Sequence, residues 1–437
     1  MQTPAQRFFS IPELLSLAVD NVRVKDLNAC SGVNLELRII CQERIFNHIK
    51  LSYRTTTLPN LGLECLCDND GGMEFLKLLE VSPQLASYVR RIDIDIHHVE
   101  ETDSIIDSIM PNFSFYEIFP KLGRLRTILV DCFMDWPKFE PQARLFLAHI
   151  SSRVPEVNFS ALRAVPLSAF VNTDIPKLKQ LCISNVYEEE SDNTGTSLSQ
   201  VTNAKVIKLD SLDVGFGIHG FMLVFDPALC MFTSPRSPFD FSELRALDLC
   251  CSNYTIAGIQ EIIEICSTKL ERLRFHVDQP LADQDVSPLS PPDLGSLHNL
   301  HHLAIYTAVH HEAADDDDYG NRDDFPLIAS MMQTLPSSLH GSRDLQVDFE
   351  VNILEDDESD YVFDTIPWSD LLHVIREDKI LSCLKEVNLI VQVSFGDLID
   401  DDESELLELL DDNEDVKFLK EKDILTCTGK QRNPIFI

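Results

Sequence analysis

A short apolar phrase, Leu-x-x-Leu-x-(Leu/Ile/Phe), recurs along this chain and constrains its fold more strongly than any other feature. Four copies match it closely, at residues 178–183, 244–249, 270–275 and 300–305. Alternating apolar residues preceded by one further leucine are typical of a short strand that is buried on one face. Because the phrase repeats, the sequence predicts strand-containing units that stack side by side.

Looser copies extend the pattern in both directions, at residues 89–94, 125–130, 204–209 and 384–389. The central apolar position advances by about 26 residues from Leu181 to Ile207 but by about 40 from Ile207 to Leu247, against about 20–29 in leucine-rich repeats. The array is therefore irregular, with insertions. Between two of the phrases, apolar residues three to four apart in residues 256–266 predict a returning helix.

These phrases resemble those of the leucine-rich-repeat family over residues 88–395. The resemblance implies an α/β fold, an irregular leucine-rich-repeat solenoid of parallel strands with returning helices, whose inner face binds another protein. Regular members carry an asparagine three residues after the last apolar strand position. The residues found there instead are Phe133, Val186, Ser252, Asp278, Ala308 and Gln392. An ordinary α/β domain with several buried strands is the alternative, because periodicity alone does not separate the two.

Charge and composition narrow the possible partners. The formal net charge is −36, so nucleic acid and anionic membranes would be repelled, and basic or neutral partners are favoured. No stretch approaches the ~20 apolar residues of a membrane span, and the amino terminus does not match a signal peptide. The 12 cysteines are scattered, unlike those of a disulfide framework or a zinc site. We expect an intracellular protein, cytoplasmic or nuclear, without a metal or other cofactor.

The first part of the chain has a different pattern, which predicts three short helices. Ser10 and Glu13 form a capping box around a proline in the first turn, and apolar residues mark one face of the helix that follows. Asp26 is a candidate N-cap for a second helix over residues 27–31. A third helix is predicted for residues 34–48.

The phrases Ile11-Pro-Glu-Leu-Leu15, Asp26-Leu27 and Gln42-Glu-Arg-Ile-Phe-Asn-His-Ile49 resemble a degenerate F-box, and the chain as a whole is similar to fungal F-box-like proteins with repeats. The resemblance implies that these helices bind a Skp-type adaptor of an SCF-type (cullin-RING) ubiquitin ligase while the repeats hold a target protein. The residues that would contact the adaptor are Ile11, Pro12, Leu14, Leu15, Leu27, Ile45 and Phe46. The motif departs from the family pattern in its middle, where residues 33–37 replace the usual valine-cysteine-arginine phrase. An amphipathic cap with a polar outer face, covering the first repeat, is the alternative.

Residues that alternate with the buried leucines of a strand must face the other side of the sheet. The residues that we predict to contact a partner there are Asp248, Arg274, His276 and Tyr306, since arginine and aromatic side chains contribute much of the energy of interfaces. The glycine phrase at residues 215–220 lacks the helix of a dinucleotide site, and the acidic run after His310 is typical of a solvated loop. No serine or cysteine stands in a nucleophile motif, so we predict a protein that is not an enzyme.

The sequence therefore predicts four segments. They are an F-box-like helical segment at residues 1–50, a helical linker at 51–87, irregular leucine-rich repeats at 88–396 and an acidic carboxyl-terminal helix or tail at 397–437. Leucines among the acids of residues 397–415 fit a helix that caps the last repeat. Two functions stay open: a target receptor of a ubiquitin ligase, and an acidic leucine-rich-repeat scaffold that binds a basic protein with no link to a ligase.

Overall fold

The computed structural model divides into two compact units, Met1–Lys205 (unit 1) and Val206–Ile437 (unit 2). The residues that the structure describes are 11–57, 64–66, 71–97, 114–135, 149–150, 152–163, 165–166, 170, 177–183, 186–187, 206–214, 232–234, 237–251, 256–277, 291–311, 325–339, 344–355, 368–394 and 414–431.

Unit 1 opens with three helices, α1 (Pro12–Asp20), α2 (Leu27–Ser31) and α3 (Leu35–Phe46). Asn34 caps α3, because its side-chain oxygen accepts a hydrogen bond of 2.8 Å from the backbone N–H of Leu37. Asp26 occupies the N-cap position of α2 as predicted, but its carboxylate pairs with Arg23 at 2.9 Å and caps no backbone N–H. The N-cap position of α1 is Ile11, which makes no side-chain cap, and not the predicted Ser10, which lies outside the described residues.

These three helices enclose a small apolar core, which consists of Leu15, Val19, Leu27, Leu37 and Cys41. Leu15 and Val19 lie four residues apart on α1, as Leu37 and Cys41 do on α3, so each pair projects from one face of its helix. Burying one such aliphatic side chain contributes roughly 1.5–3 kcal/mol. Helices this short are marginal alone in water, so packing around the core holds them in place.

The rest of unit 1 contains a mainly parallel sheet. Its elements are β1 (His48–Thr57), β2 (Glu64–Leu66), α4 (Gly71–Val81), β3 (Arg91–His97), α5 (Phe115–Ile118), β4 (Thr127–Asp135), β5 (Glu156–Arg163), β6 (Val165–Pro166), β7 (Gln180–Ile183) and β8 (Val186–Tyr187). Strands β1, β3, β4, β5 and β7 pair in that order, all parallel. Strand β2 folds back antiparallel on β1, and β6 pairs with β8 as a separate parallel ribbon.

Unit 2 contains a second parallel sheet with helices between its strands. Its elements are β9 (Ile207–Lys208), β10 (Ser211–Val214), β11 (Phe239–Asp240), β12 (Ala246–Cys251), α6 (Ile256–Cys266), β13 (Arg272–Val277), β14 (His302–His311), α7 (Phe325–Gln333), β15 (Leu345–Glu355), α8 (Trp368–Arg376), α9 (Asp378–Leu381), β16 (Leu384–Ser394), α10 (Glu414–Glu421) and β17 (Leu425–Gln431). Strands β10 and β12 to β17 pair in chain order, all parallel, and β9 pairs with β11.

The core of unit 2 lies on one face of its sheet, where the register aligns apolar residues from strand to strand. One such row is Leu212, Leu247, Leu273, Leu303, Val347, Val387 and Leu425, all buried. Helix α6 buries Ile259, Ile263 and Cys266, which its amphipathic spacing predicted, and it also buries Ile262. Because side chains alternate along a strand, the residues between these rows project from the opposite face. We call that opposite face of β10 and β12 to β17 the polar face.

The predicted parallel α/β architecture is present in each unit, and its strands follow their order in the chain. The leucine phrases coincide with β3, β4, β7, β12, β13, β14 and β16. The strand predicted at residues 204–209 is displaced: Ile207–Lys208 pairs with β11, and the strand beside β12 is β10. The pairing of Leu212 with Leu247 explains the shift, because Leu212 supplies the buried position that the sequence assigned to Ile207.

Two segment predictions also need correction. The linker at residues 51–87 is not helical throughout, because its first residues belong to β1 and only Gly71–Val81 forms a long helix. The carboxyl-terminal segment at 397–437 contains α10, but the chain then adds β17 to the sheet beside β16. Residues 397–413, with the leucines predicted to form a capping helix, lie outside the described residues.

Among the helices that the structure describes, none has both the length and the apolar composition needed to cross a membrane.

Candidate functional site

The four residues predicted to contact a partner lie together on the polar face of unit 2. In the register of the sheet, Asp248 of β12 stands beside Arg274 of β13. One step further along the strands, His276 of β13 stands beside Tyr306 of β14. We call these four residues the polar cluster. Parallel pairing in register brings them together, because each lies at an alternate position between buried apolar residues.

Direct contacts connect all four side chains of the polar cluster. Arg274 Nη1 lies 2.9 Å from Asp248 Oδ2. His276 Nε2 lies 3.1 Å from Asp248 Oδ1, but this oxygen accepts no hydrogen bond, so the contact is electrostatic. The rings of His276 and Tyr306 stack with centroids 4.6 Å apart and planes 16° apart, and Arg274 Cζ lies 5.4 Å from the Tyr306 centroid. The cluster thus combines an ion pair, a ring stack and a cation–π contact.

The polar cluster is partly open to solvent. The side chain of Arg274 is 46% exposed, whereas that of Asp248 is 17% exposed. Burial alone would lower the pKa of Arg274, but the nearby Asp248 carboxylate outweighs it and raises that pKa. Burial also raises the pKa of the Tyr306 hydroxyl, and the carboxylate of Glu350 acts in the same direction. Arg274 therefore stays charged and Tyr306 stays neutral at physiological pH.

A second group of polar contacts surrounds Asp348 on β15. Its Oδ2 lies 2.7 Å from His302 Nε2, and its Oδ1 accepts hydrogen bonds of 2.8 Å from Asn388 Nδ2 and 3.2 Å from Gln346 Nε2. Burial alone would raise the pKa of Asp348, but these hydrogen bonds outweigh it and hold the pKa below its usual value. Between Asp348 and Arg274 in the register lies Ala304, which is only 2% exposed, so larger neighbours cover it.

The corresponding face of the unit 1 sheet is neutralised differently. Asp93 pairs with Arg91 and His48, each at 2.7 Å, and Asp95 pairs with Lys50 at 2.8 Å. Burial alone would raise the pKa of Asp93, but the hydrogen bonds with Arg91 and His48 lower it overall. In this sheet, Lys and Arg side chains therefore balance the carboxylates, whereas amides and an imidazole surround Asp348 in unit 2.

The residues predicted to contact an adaptor divide into two groups. Ile11 and Leu14 are exposed on α1, whereas Leu15 and Leu27 are fully buried in the core of the three helices. Ile45 packs against that core. Phe46 is half-buried at the end of α3, and the side chain of Pro12 is outside the described ones. Leu15 and Leu27 thus stabilise the helices and are not available to a partner.

Four further apolar residues of the same region are exposed and were not predicted from the sequence to contact a partner. They are Leu17, Val33, Leu35 and Ile39. Leu17 is 61% exposed and Leu35 64%, and Leu35 and Ile39 lie one turn apart on α3. The spacing of leucines on each helix could have shown them, because Leu17 and Leu35 are out of phase with the buried residues. We call these four residues, together with the exposed Ile11 and Leu14, the apolar outer face.

Two features of the described residues bear on metal binding and thiol reactivity. No group of three or more His, Cys, Asp or Glu side chains among those residues could hold a metal ion. Burial raises the pKa of the Cys266 thiol to about 12 and that of Cys383 to about 11, so both thiols stay protonated and poorly nucleophilic. The glycine phrase at 215–220 and the acidic run at 312–318 lie outside the described residues.

Comparisons with known proteins give no assignment: no protein-family model matches the chain, and no curated protein matches it. The function is therefore inferred from the polar face and the apolar outer face.

Proposed function

We propose that this chain is a target-recruiting receptor of an SCF-type (cullin-RING) ubiquitin ligase, built from irregular leucine-rich repeats. In this proposal the amino-terminal helices bind a Skp-type adaptor, and the polar face of unit 2 holds the target protein. Parallel strands in chain order, each joined to the next through one connection, are what stacked repeats require. The chain itself is proposed to bind rather than catalyse.

The observation that carries the proposal is the apolar outer face. All six of its members are large aliphatic residues within the first 39 positions of the chain, and each is at least 38% exposed. Isolated exposed leucines are ordinary, but a concentration of them on helices that already enclose their own core is typical of an interaction site. A simple cap for the first repeat would instead need a polar outer face.

The polar face supplies a complementary site for the target. Its cluster contains an arginine and a tyrosine, which are enriched among residues that dominate binding energy. The ring of Tyr306 is held by its stack on His276, with centroids 4.6 Å apart, so little conformational entropy of this side chain is lost when a partner binds.

The adaptor proposal is tested by co-expression of the full chain with a Skp-type adaptor, followed by affinity purification. The variant carries Leu17→Ser, Leu35→Ser and Ile39→Ser, which remove apolar contact area without touching the helical core. We expect the native chain to retain the adaptor in equimolar amount and the variant to lose it. The matched control is Ile265→Ser on α6, because Ile265 is 43% exposed and Ile39 is 44% exposed.

A native chain that never retains the adaptor would remove the ligase proposal. Equal loss of adaptor in the variant and in the Ile265→Ser control would show that the apolar outer face is not the contact surface. Circular dichroism of each protein confirms that the helices are intact.

The second candidate function is an acidic leucine-rich-repeat scaffold that binds a basic protein without a ligase. The excess of carboxylates on the polar face favours it. Deletion of residues 1–50 separates the two functions, because the scaffold would keep its partner whereas the receptor would lose its adaptor.

A further inference from the structure

We propose that the polar face of unit 2 binds a basic segment of its partner, with an arginine or lysine side chain held between the ring of Tyr306 and the carboxylates of Asp348 and Glu350. This inference rests on the proposed role of the polar face as the target site. It adds the chemical class of the target, which neither the repeat pattern nor the helices indicate.

The charge of the polar face favours a cation. Its charged residues on the described strands are the acids Asp213, Asp248, Asp348, Glu350 and Glu386 and the bases Arg272, Arg274 and Lys430. Three bases do not neutralise five carboxylates. The formal net charge of −36 attracts basic segments over longer distances, but it attracts them to the whole molecule. Binding at the polar face therefore depends on the local excess of carboxylates there.

The arrangement around Asp348 leaves its negative charge in place. Two of its hydrogen-bond donors, Asn388 and Gln346, are neutral amides. Both donate to Oδ1 without cancelling the charge of the carboxylate, and His302, which contacts Oδ2, adds a positive charge only when it is protonated. In unit 1, by contrast, Lys50 and Arg91 cancel the charges of the carboxylates that they contact. A cation from a partner would therefore gain more beside Asp348 than beside the paired carboxylates of unit 1.

Tyr306 provides the second element of the cation site. An aromatic ring attracts a guanidinium or ammonium group within about 6 Å of its centroid, by roughly 0.5–1 kcal/mol when exposed and about 2 kcal/mol or more when desolvated. Arg274 already lies 5.4 Å from this ring, so a guanidinium fits there. In the register, Glu350 of β15 stands directly beside Tyr306, which places a carboxylate next to the ring on the side away from His276.

Arg274 thus takes the place of the partner's cation in the free protein. Its side chain is 46% exposed and carries a flexible stem, so it can move away from the ring when a second cation arrives. Its ion pair with Asp248 is at the surface and contributes about 0–1 kcal/mol, which makes this displacement inexpensive.

Other partner chemistries fit the polar face less well. An acidic or phosphorylated segment would be repelled by the excess of carboxylates. A segment anchored by apolar side chains would lack contacts, because the exposed large apolar residues in the described part of unit 2, Val206 and Ile265, lie outside the strands of the polar face.

The test uses the full chain and a short fluorescein-labelled peptide in which arginines alternate with glycine and serine. An otherwise identical peptide contains citrulline, which keeps the shape of arginine without its charge. Fluorescence anisotropy gives the affinity of each peptide at several salt concentrations. We expect the arginine peptide to bind at least about tenfold more tightly than the citrulline peptide, with an affinity that falls as salt increases.

Three variants locate the binding site. Glu350→Gln removes one charge of the site and Tyr306→Leu removes the ring, and each should weaken binding of the arginine peptide by about threefold to tenfold. Glu421→Gln removes one charge from the exposed surface of α10 and should leave the affinity unchanged. Thermal unfolding shows whether each variant is folded. If one of the two site variants folds poorly, the other still tests the proposal.

Equal binding of the two peptides would overturn the proposal. So would equal weakening by Glu350→Gln and Glu421→Gln, because the attraction would then come from the charge of the whole molecule. Adaptor retention is measured on the same preparations. If the chain binds the arginine peptide at this site but does not retain the adaptor, the basic-segment inference holds and the ligase proposal is wrong. If the chain retains the adaptor but does not bind the arginine peptide, the ligase proposal holds and the basic-segment inference is wrong.

Discussion

The apolar outer face of unit 1 and the polar face of unit 2 present opposite kinds of surface. The first consists of aliphatic side chains on short helices around a small core, and the second consists of charged and aromatic side chains on paired strands. Burial of apolar area is insensitive to salt, whereas contacts between exposed charges are screened by it. If both faces bind partners as proposed, salt should weaken binding at the polar face and leave binding at the apolar outer face intact.

The largest expected effect is a difference in stability between substitutions on the inner side and on the outer side of the amino-terminal helices. Leu27→Ala removes a fully buried side chain from the core and should lower the free energy of unfolding of the helices by about 2–4 kcal/mol. Leu17→Ala removes a mostly exposed side chain and should change it by less than about 0.5 kcal/mol. Amide hydrogen exchange in α1 to α3, followed by mass spectrometry, measures both. Similar losses of protection would mean that Leu17 is covered in solution.

A smaller effect concerns the carboxylate on which the polar face depends. The pKa of Asp348 is lower in the folded chain than its usual value of 3.8, so the stability that it contributes is fully present above that value. This stability is lost as the pH falls through the lower pKa of the folded state. The difference in free energy of unfolding between the native chain and Asp348→Asn should therefore be constant near pH 6 and shrink below about pH 4.

Urea unfolding of the two proteins across this pH range measures the effect. Other carboxylates titrate equally in both proteins and cancel in the difference. A difference that stays constant down to about pH 2 would show that Asp348 is not stabilised as a carboxylate by its neighbours.

The smallest expected effect on stability comes from the polar cluster. Arg274→Ala breaks a partly exposed ion pair and should lower the free energy of unfolding by less than about 1 kcal/mol. It should also strengthen binding of the arginine peptide, because Arg274 no longer competes for Tyr306 and Asp248. Arg272→Ala is the matched control, since Arg272 is exposed two residues earlier on the same strand. A large loss of stability in Arg274→Ala but not in Arg272→Ala would show that the cluster stabilises the fold of unit 2.

The polar cluster could be predicted from the sequence because it depends only on alternation within strong leucine phrases. Once Leu247 and Leu273 are buried, Asp248 and Arg274 must project from the other face. Strand β15 also alternates clearly, at Leu345, Val347 and Phe349, but it lacks the leucine ahead of the strand that defines the phrase. Asp348 and Glu350 of this strand were therefore not predicted to lie on the polar face.

Other parts could not be predicted for physical reasons. Strand β17 has the sequence Leu-Thr-Cys-Thr-Gly-Lys-Gln, which alternates apolar and polar residues only over its first four positions, so its pairing with β16 decides its structure. In the amino-terminal helices, periodicity showed that one face of each helix is apolar. It could not show that Leu15 would be buried while the adjacent Leu14 is exposed, because that depends on how the helices pack.

The chain-order pairing of unit 2 has a consequence for how this unit can form and fail. Each strand from β13 to β16 pairs with the strands immediately before and after it in the chain, so none of these pairings depends on a distant segment. Assembly can start at any neighbouring pair and spread outward. A premature stop after Ser394 would then trim the last strand and leave the preceding ones paired, rather than abolish the unit.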